Sequence, residues 1–263
     1  MVPQPTVDAS KRAFALRKLH SLSGVVPVGV FLVEHIWTNA KALGGEQEFG
    51  RAVAEIQSLP FLPFIEVFGI FLPLAFHALY GVRVAFAGKA NVGRYPYSRN
   101  WMYVLQRASG LFALVFIGWH LYEYRIHKWL FGMQGDDFYG VLSAHLSSTV
   151  ASVPLLAIFY LLGVLASVFH FANGLWGFSA SWGIAVSKAA QRRAAWACGA
   201  LGVVLFVLGA DTVVFFATGS RLYLSNDYVP LKGEVGGACK PKTATLPTAS
   251  VARAAPRPPV MSK

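Results

Sequence analysis

Polar residues in this chain come in short clusters. Between them lie five long apolar runs, at roughly 22–40, 62–88, 102–124, 150–178 and 194–219. Each is long enough to cross a bilayer as a helix, which takes about 20 residues. Apolar and polar positions do not alternate in steps of two, which excludes the strands of a membrane barrel. Helices satisfy their own backbone in lipid, so the pattern predicts an all-α integral membrane protein, a five-transmembrane-helix bundle. Pro27 and Pro73 fall inside two of the runs, which membrane helices tolerate when neighbouring groups re-satisfy the freed carbonyl. Residues 1–21 then form an N-terminal segment and 22–219 the membrane domain. Residues 220–263, rich in Ala, Pro, Thr and Lys with no apolar period, form a tail expected to be disordered. No small-residue cleavage site follows the first run, so it is not a removable signal.

Composition agrees. Of 263 residues 55% are hydrophobic and 13% charged, against about 25% charged in a soluble domain. Mean hydropathy is +0.50. A net charge of +11 invites a nucleic-acid partner until the charges are placed. Lys11, Arg12, Arg17 and Lys18 precede the first run with one acid, Asp8. Arg83, Lys89, Arg94, Arg99 and Arg107 lie between the second and third, and Lys188, Arg192 and Arg193 between the fourth and fifth, with no acid at all. The two remaining loops are acidic. By the positive-inside rule the N-terminus and the basic loops are cytoplasmic and the C-terminus is outside. Nucleic acid is excluded as a partner. Two cysteines, Cys198 and Cys239, make neither a disulfide framework nor a zinc site.

Four of the seven histidines, His35, His77, His120 and His170, fall inside apolar runs, one on each of the first four. A lone histidine there is as readily a helix-to-helix hydrogen bond. Four on four separate helices point to function, because ionisable groups in lipid are costly. At a rise of about 1.5 Å per residue, His35 and His120 lie roughly 22–25 Å from the cytoplasmic side. His77 and His170, on helices running the other way, lie in the inner half. Depth therefore sorts them into an outer pair, His35 with His120, and an inner pair, His77 with His170. Paired imidazoles at one height can bind a metal ion or a haem, and the apolar macrocycle suits the setting better. No CxxCH occurs, so the haem would be b-type. Two axial histidines leave no open position, which means electron transfer and not ligand activation. Gly118, Gly163 and Gly174 are candidates for letting a flat ring approach the backbone.

The segments RKLHSLSGVVPVGVFLVEH, FLPLAFHALYGVRVAF, YSRNWMYVLQRASGLFALVFIGWH and FHFANGLWGF resemble the dihaem cytochrome b membrane anchor of succinate:quinone oxidoreductases. The similarity is to the single-subunit, five-helix type found with menaquinone-using succinate dehydrogenases and with dihaem fumarate reductases. It covers about residues 14–216. The resemblance implies a bundle enclosing two haem b groups, with His35 and His120 ligating the outer iron and His77 and His170 the inner. It implies a flavoprotein subunit with FAD and an iron–sulfur subunit as partners, and no dehydrogenase active site in this chain. It implies quinone, as menaquinone, for the electron acceptor, and the bacterial cytoplasmic (inner) membrane as the location. The long tail, extra residues between the third and fourth helices, and Glu34 before a ligand depart from the family pattern.

Three acids enter the runs in the outer half: Glu34, Glu66 and Asp211. Hydration at the interface explains any of them, most readily Asp211. Proton transfer at a quinone site is the functional alternative, with Glu66 the preferred candidate and Glu34 the weaker. His20, Arg17 and Ser21, at the cytoplasmic start of the first helix, contact either haem propionates or headgroups and the partner subunit. His127 and His145 read as ordinary exposed histidines, and Trp37 and Trp129 as interfacial belt residues. Two other functions stay open on the residues alone. One is the cytochrome b anchor of a hydrogenase or formate dehydrogenase; the other is a proton-coupled transporter whose histidines form a relay.

Overall fold

The computed structural model describes residues 7–126, 130 and 138–222. His127, Trp129 and the tail from 223 onward lie outside the described residues. Among those described, extended pairing is limited to one isolated bridge, Val150 with Val153. The rest of the regular structure is helix.

Five helical spans are long and apolar enough to cross a membrane: Ser10–Gly44, Leu62–Ala87, Ser98–Ile126, Leu155–Ser181 and Lys188–Thr218. Four match the predicted runs to within a few residues at most ends. The first is longer, because helix begins at Val7, well inside the polar segment that hydropathy assigns to an N-terminal extension. Lysines and arginines are good helix formers, so charge ends the apolar run without ending the helix.

Both prolines leave the expected marks. The helix breaks at Val26 and resumes at Pro27, which takes the first position of the segment Pro27–Ala40. Proline fits there because its missing N–H is one that a helix start leaves unpaired anyway. Pro73 follows a π-helical stretch, Ile65–Phe71, that leads into Leu72–Ala87. A wider turn before proline relieves the clash its ring would make with the preceding carbonyls.

The spans alternate in direction. Lys18 Nζ donates to the Ser181 carbonyl at 2.5 Å, Trp182 Nε1 to Ser21 Oγ at 3.0 Å, and Arg99 to Gln191 Oε1 at 2.9 Å. These contacts bring the start of the first span, the 88–97 loop and the 182–187 loop to one end of the bundle, called here the N-terminal end. The opposite end is closed by two short helices, Glu46–Gln57 and Phe138–Leu146. They meet the end of the fifth span through Phe49, Tyr139 and Phe216, with ring centroids 5.3–6.1 Å apart. The extra residues between the third and fourth spans thus become, in part, a cap on the far end. Large apolar side chains elsewhere face outward, among them Val30, Leu79, Phe86 and Val203, as a lipid-facing surface requires.

Candidate haem sites

Each of the first four spans brings one histidine inward, and the four meet as two pairs. Nearer the far end, His35 and His120 stand with ring centroids 5.6 Å apart and planes at 77°. Nearer the N-terminal end, His77 and His170 stand 6.0 Å apart with planes at 82°. Both pairs join spans that run antiparallel to the other pair's, which is why equal depth along the helices assigns the same partners.

The donor chemistry of both pairs fits a haem. Two imidazoles on opposite sides of one metal ion, each at about 2 Å from it, hold their centroids on the order of 6 Å apart. Among the described residues no three His, Cys, Asp or Glu side chains converge into a cage for a metal ion. Each pair therefore offers two nitrogens, the number haem takes at its axial positions.

Hydrogen bonds decide which nitrogen is offered. His77 Nδ1 lies 2.9 Å from the His20 carbonyl oxygen, and His170 Nδ1 lies 3.0 Å from that of Gln106. A carbonyl only accepts, so Nδ1 carries the proton in the His77 ring and Nε2 keeps its lone pair. At His170 the Gln106 amide Nε2 also stands 3.2 Å from Nδ1, and the shorter carbonyl contact favours the same tautomer. The Gln106 amide is itself fixed, since its Nε2 donates to the His170 carbonyl at 3.0 Å and its Oε1 accepts from Asn173 at 2.7 Å. In the other pair, His120 Nδ1 faces the Tyr160 hydroxyl oxygen at 3.4 Å. Asn39 Nδ2 caps the His35 carbonyl at 2.7 Å and lies 3.4 Å from His35 Nε2.

Glycines make room for two of these rings, and they differ from the three that the sequence suggests. A Cβ at Gly24 would overlap the His77 ring, and one at Gly110 would lie 2.6 Å from His170 Cε1. Gly163 instead receives the Phe116 ring, Gly174 faces Gln106, and a Cβ at Gly118 would meet nothing within 4 Å.

The remaining candidates separate. His20 stacks on His77 with centroids 4.2 Å apart, beside the His77–His170 pair. Arg17 is exposed and turns its Nε to the Ala13 carbonyl of its own helix at 3.3 Å. The three acids each have a different partner. Glu34 is exposed and accepts from Thr38 at 2.5 Å. It borders an apolar groove of about 550 Å³ between the first and fifth spans, with Phe171 in its wall. Glu66 forms an ion pair with Arg125. Asp211, expected at a hydrated interface, is 3% exposed. Its Oδ1 accepts from the Leu222 N–H at 2.6 Å, because Gly219 at φ 74° ends the helix and turns the chain back over it.

No protein-family profile matches the chain, and no solved structure does. Among curated proteins it is similar to the succinate dehydrogenase cytochrome b558 subunit of Bacillus subtilis (strain 168). The two are 40% identical over 208 residues, which is 79% of this chain and 99% of the relative. The chain belongs to the succinate dehydrogenase cytochrome b558 family. Membership excludes the transporter reading and the hydrogenase and formate dehydrogenase anchors. It makes this cytochrome b558 homologue a membrane anchor with a part in electron transfer.

Sequence reasoning passed over several residues of the cytochrome. Gln106, Gly24 and Gly110 act only through contacts with other spans. Glu123 Oε1 and His145 Nδ1 lie 3.0 Å apart, although His145 reads from sequence as an ordinary exposed histidine. The one available signal was spacing: Glu123 follows His120 by three residues, which puts both on one helical face.

Proposed function

We propose that His77 with His170, and His35 with His120, each hold one haem b, giving two per chain. The groups supply one-electron transfer when bound. The chain itself fixes the ligand tautomers through the His20 and Gln106 carbonyls. It also shields both pairs from water between the spans and ties a succinate dehydrogenase to the membrane. Partner subunits carry FAD and the iron–sulfur clusters, and succinate is oxidised in the flavoprotein subunit, not here. They dock on the N-terminal end, where unopposed basic residues gather. That end faces the cytoplasm of a bacterium across its inner membrane, with the C-terminus on the other side. Electrons leave to a quinone, menaquinone, nearer the far end, where Glu66 is the candidate for proton transfer and Glu34 a second. His20 is placed to contact a propionate at the N-terminal end, and Arg17 less directly.

The observation that carries this reading is the meeting of four histidines from four spans as two separate, haem-spaced pairs in a b558-family chain. Pyridine haemochrome assay of the assembled complex should give about two haems per chain. Near-zero haem in a properly assembled complex overturns the reading.

A further inference from the structure

Glu123 stands in the π-helical segment Tyr122–Ile126 that finishes the third span. Such segments recur at functional sites, because the wider turn re-aims side chains. The side chain is 12% exposed, and its Oε2 is held by two donors. Oε2 accepts from Tyr160 OH at 2.6 Å and from Trp119 Nε1 at 3.1 Å. Oε1 faces His145 Nδ1 at 3.0 Å, and His145 comes from the short helix Phe138–Leu146. Tyr160, 4% exposed on the fourth span, gives its proton to Glu123 and turns its oxygen toward His120 Nδ1 at 3.4 Å. His77 and His170 differ. Their Nδ1 atoms meet neutral main-chain carbonyls.

This contrast has an electrochemical consequence. A hydroxyl that donates to a carboxylate becomes a stronger acceptor on its own oxygen. The His120 contact is the longer one, at 3.4 Å against 2.9–3.0 Å in the other pair, so the difference lies in the carboxylate charge behind the hydroxyl, which makes the histidine a more basic metal ligand. More basic ligands favour the ferric over the ferrous state, which lowers the reduction potential. We infer that Glu123, acting through Tyr160, sets the reduction potential at the His35–His120 pair, with Trp119 fixing the carboxylate for that task. The inference rests on the proposed ligation of haem by these histidines. Glu123 and Tyr160 are positioning residues, since neither touches iron.

Redox titration of the assembled complex in membranes, following both haems by their visible spectra, tests it. Glu123→Gln should raise the midpoint at the His35–His120 pair by a tenfold change in its reduction equilibrium, about 59 mV for one electron, and leave the other unmoved. Tyr160→Phe should shift the same haem the same way. In a Tyr160→Phe background, Glu123→Gln should then add nothing further. Should Glu123→Gln fail to assemble, Tyr160→Phe carries the test, because it keeps the buried ring in place. Both haems bound with neither midpoint moved, or both moved equally, overturns the inference and leaves Glu123 as a tie between helices. A separate arm guards the underlying reading: His120→Ala with both haems still bound and spectrally unchanged strikes the ligation itself.

Discussion

The ring of His77 lies flat on that of His20, 4.2 Å away and 14° from parallel, while its Nδ1 reaches the His20 carbonyl at 2.9 Å. One residue of the first span thus orients a side chain of the second by ring and by backbone together. The approach is this close because Gly24, one turn further along, has no Cβ to obstruct the same ring. Gly24→Ala should therefore displace His77 at an overpacking cost of about 1–3 kcal/mol. The expected result is loss of the haem at the N-terminal end, with the other retained. Low-temperature reduced-minus-oxidised spectra read this directly, and full haem content in the variant would refute the glycine cradle.

The pairs should not be interchangeable. His77→Ala or His170→Ala should remove the haem nearest the docked subunits, so that succinate no longer reduces what remains. His35→Ala or His120→Ala should leave a haem that succinate still reduces, while quinone reduction fails. Equal bleaching of both haems by every single replacement, in an assembled complex, would break the assignment into pairs.

The histidine pairs were legible in the sequence because lipid makes any ionisable side chain conspicuous, and helical rise converts position into depth. The same reasoning located the five spans. It did not show that helix runs on through residues 7–21, where hydropathy ends but helix propensity does not. It misread Asp211, since nothing local announces that the chain after Gly219 folds back to cover it. Gly24, Gly110, Gln106, Tyr160 and Glu123 were hidden for one reason: each matters through a residue 40 or more positions away, or through a partner that is itself so linked. Apart from the three-residue spacing of Glu123 from His120, their own neighbourhoods in the sequence carry no sign of it.

Glu66 and Arg125 form an ion pair, with side chains 16% and 27% exposed. If the carboxylate serves quinone protonation, Glu66→Gln should lower quinone reductase turnover at least tenfold, about 1.4 kcal/mol of barrier. Both haem spectra should stay as in the parent. Arg125→Gln should cost more stability than Glu66→Gln, because the charge it strands, Glu66, is the more buried of the two. Wild-type turnover in Glu66→Gln would reduce the pair to a structural tie between the second and third spans.

The proposed placement of electron donor and acceptor predicts a dependence on membrane potential. With partner subunits on the N-terminal, cytoplasmic end and quinone reacting nearer the far end, electrons cross most of the bilayer outward. The inside is negative in a respiring cell, so outward movement of negative charge is downhill. One charge moved through 100 mV is worth about 2.3 kcal/mol, and the two electrons of each succinate double it. That contribution can drive transfer to an acceptor of lower potential than succinate, as menaquinone is. Succinate oxidation by intact cells should accordingly slow when an uncoupler collapses the potential. Detergent-solubilised complex given a high-potential artificial quinone should not respond, because no potential exists across a micelle and the transfer is already downhill. A cell-based rate of menaquinone reduction that ignores the uncoupler would place the quinone at the N-terminal end instead, beside His77 and His170.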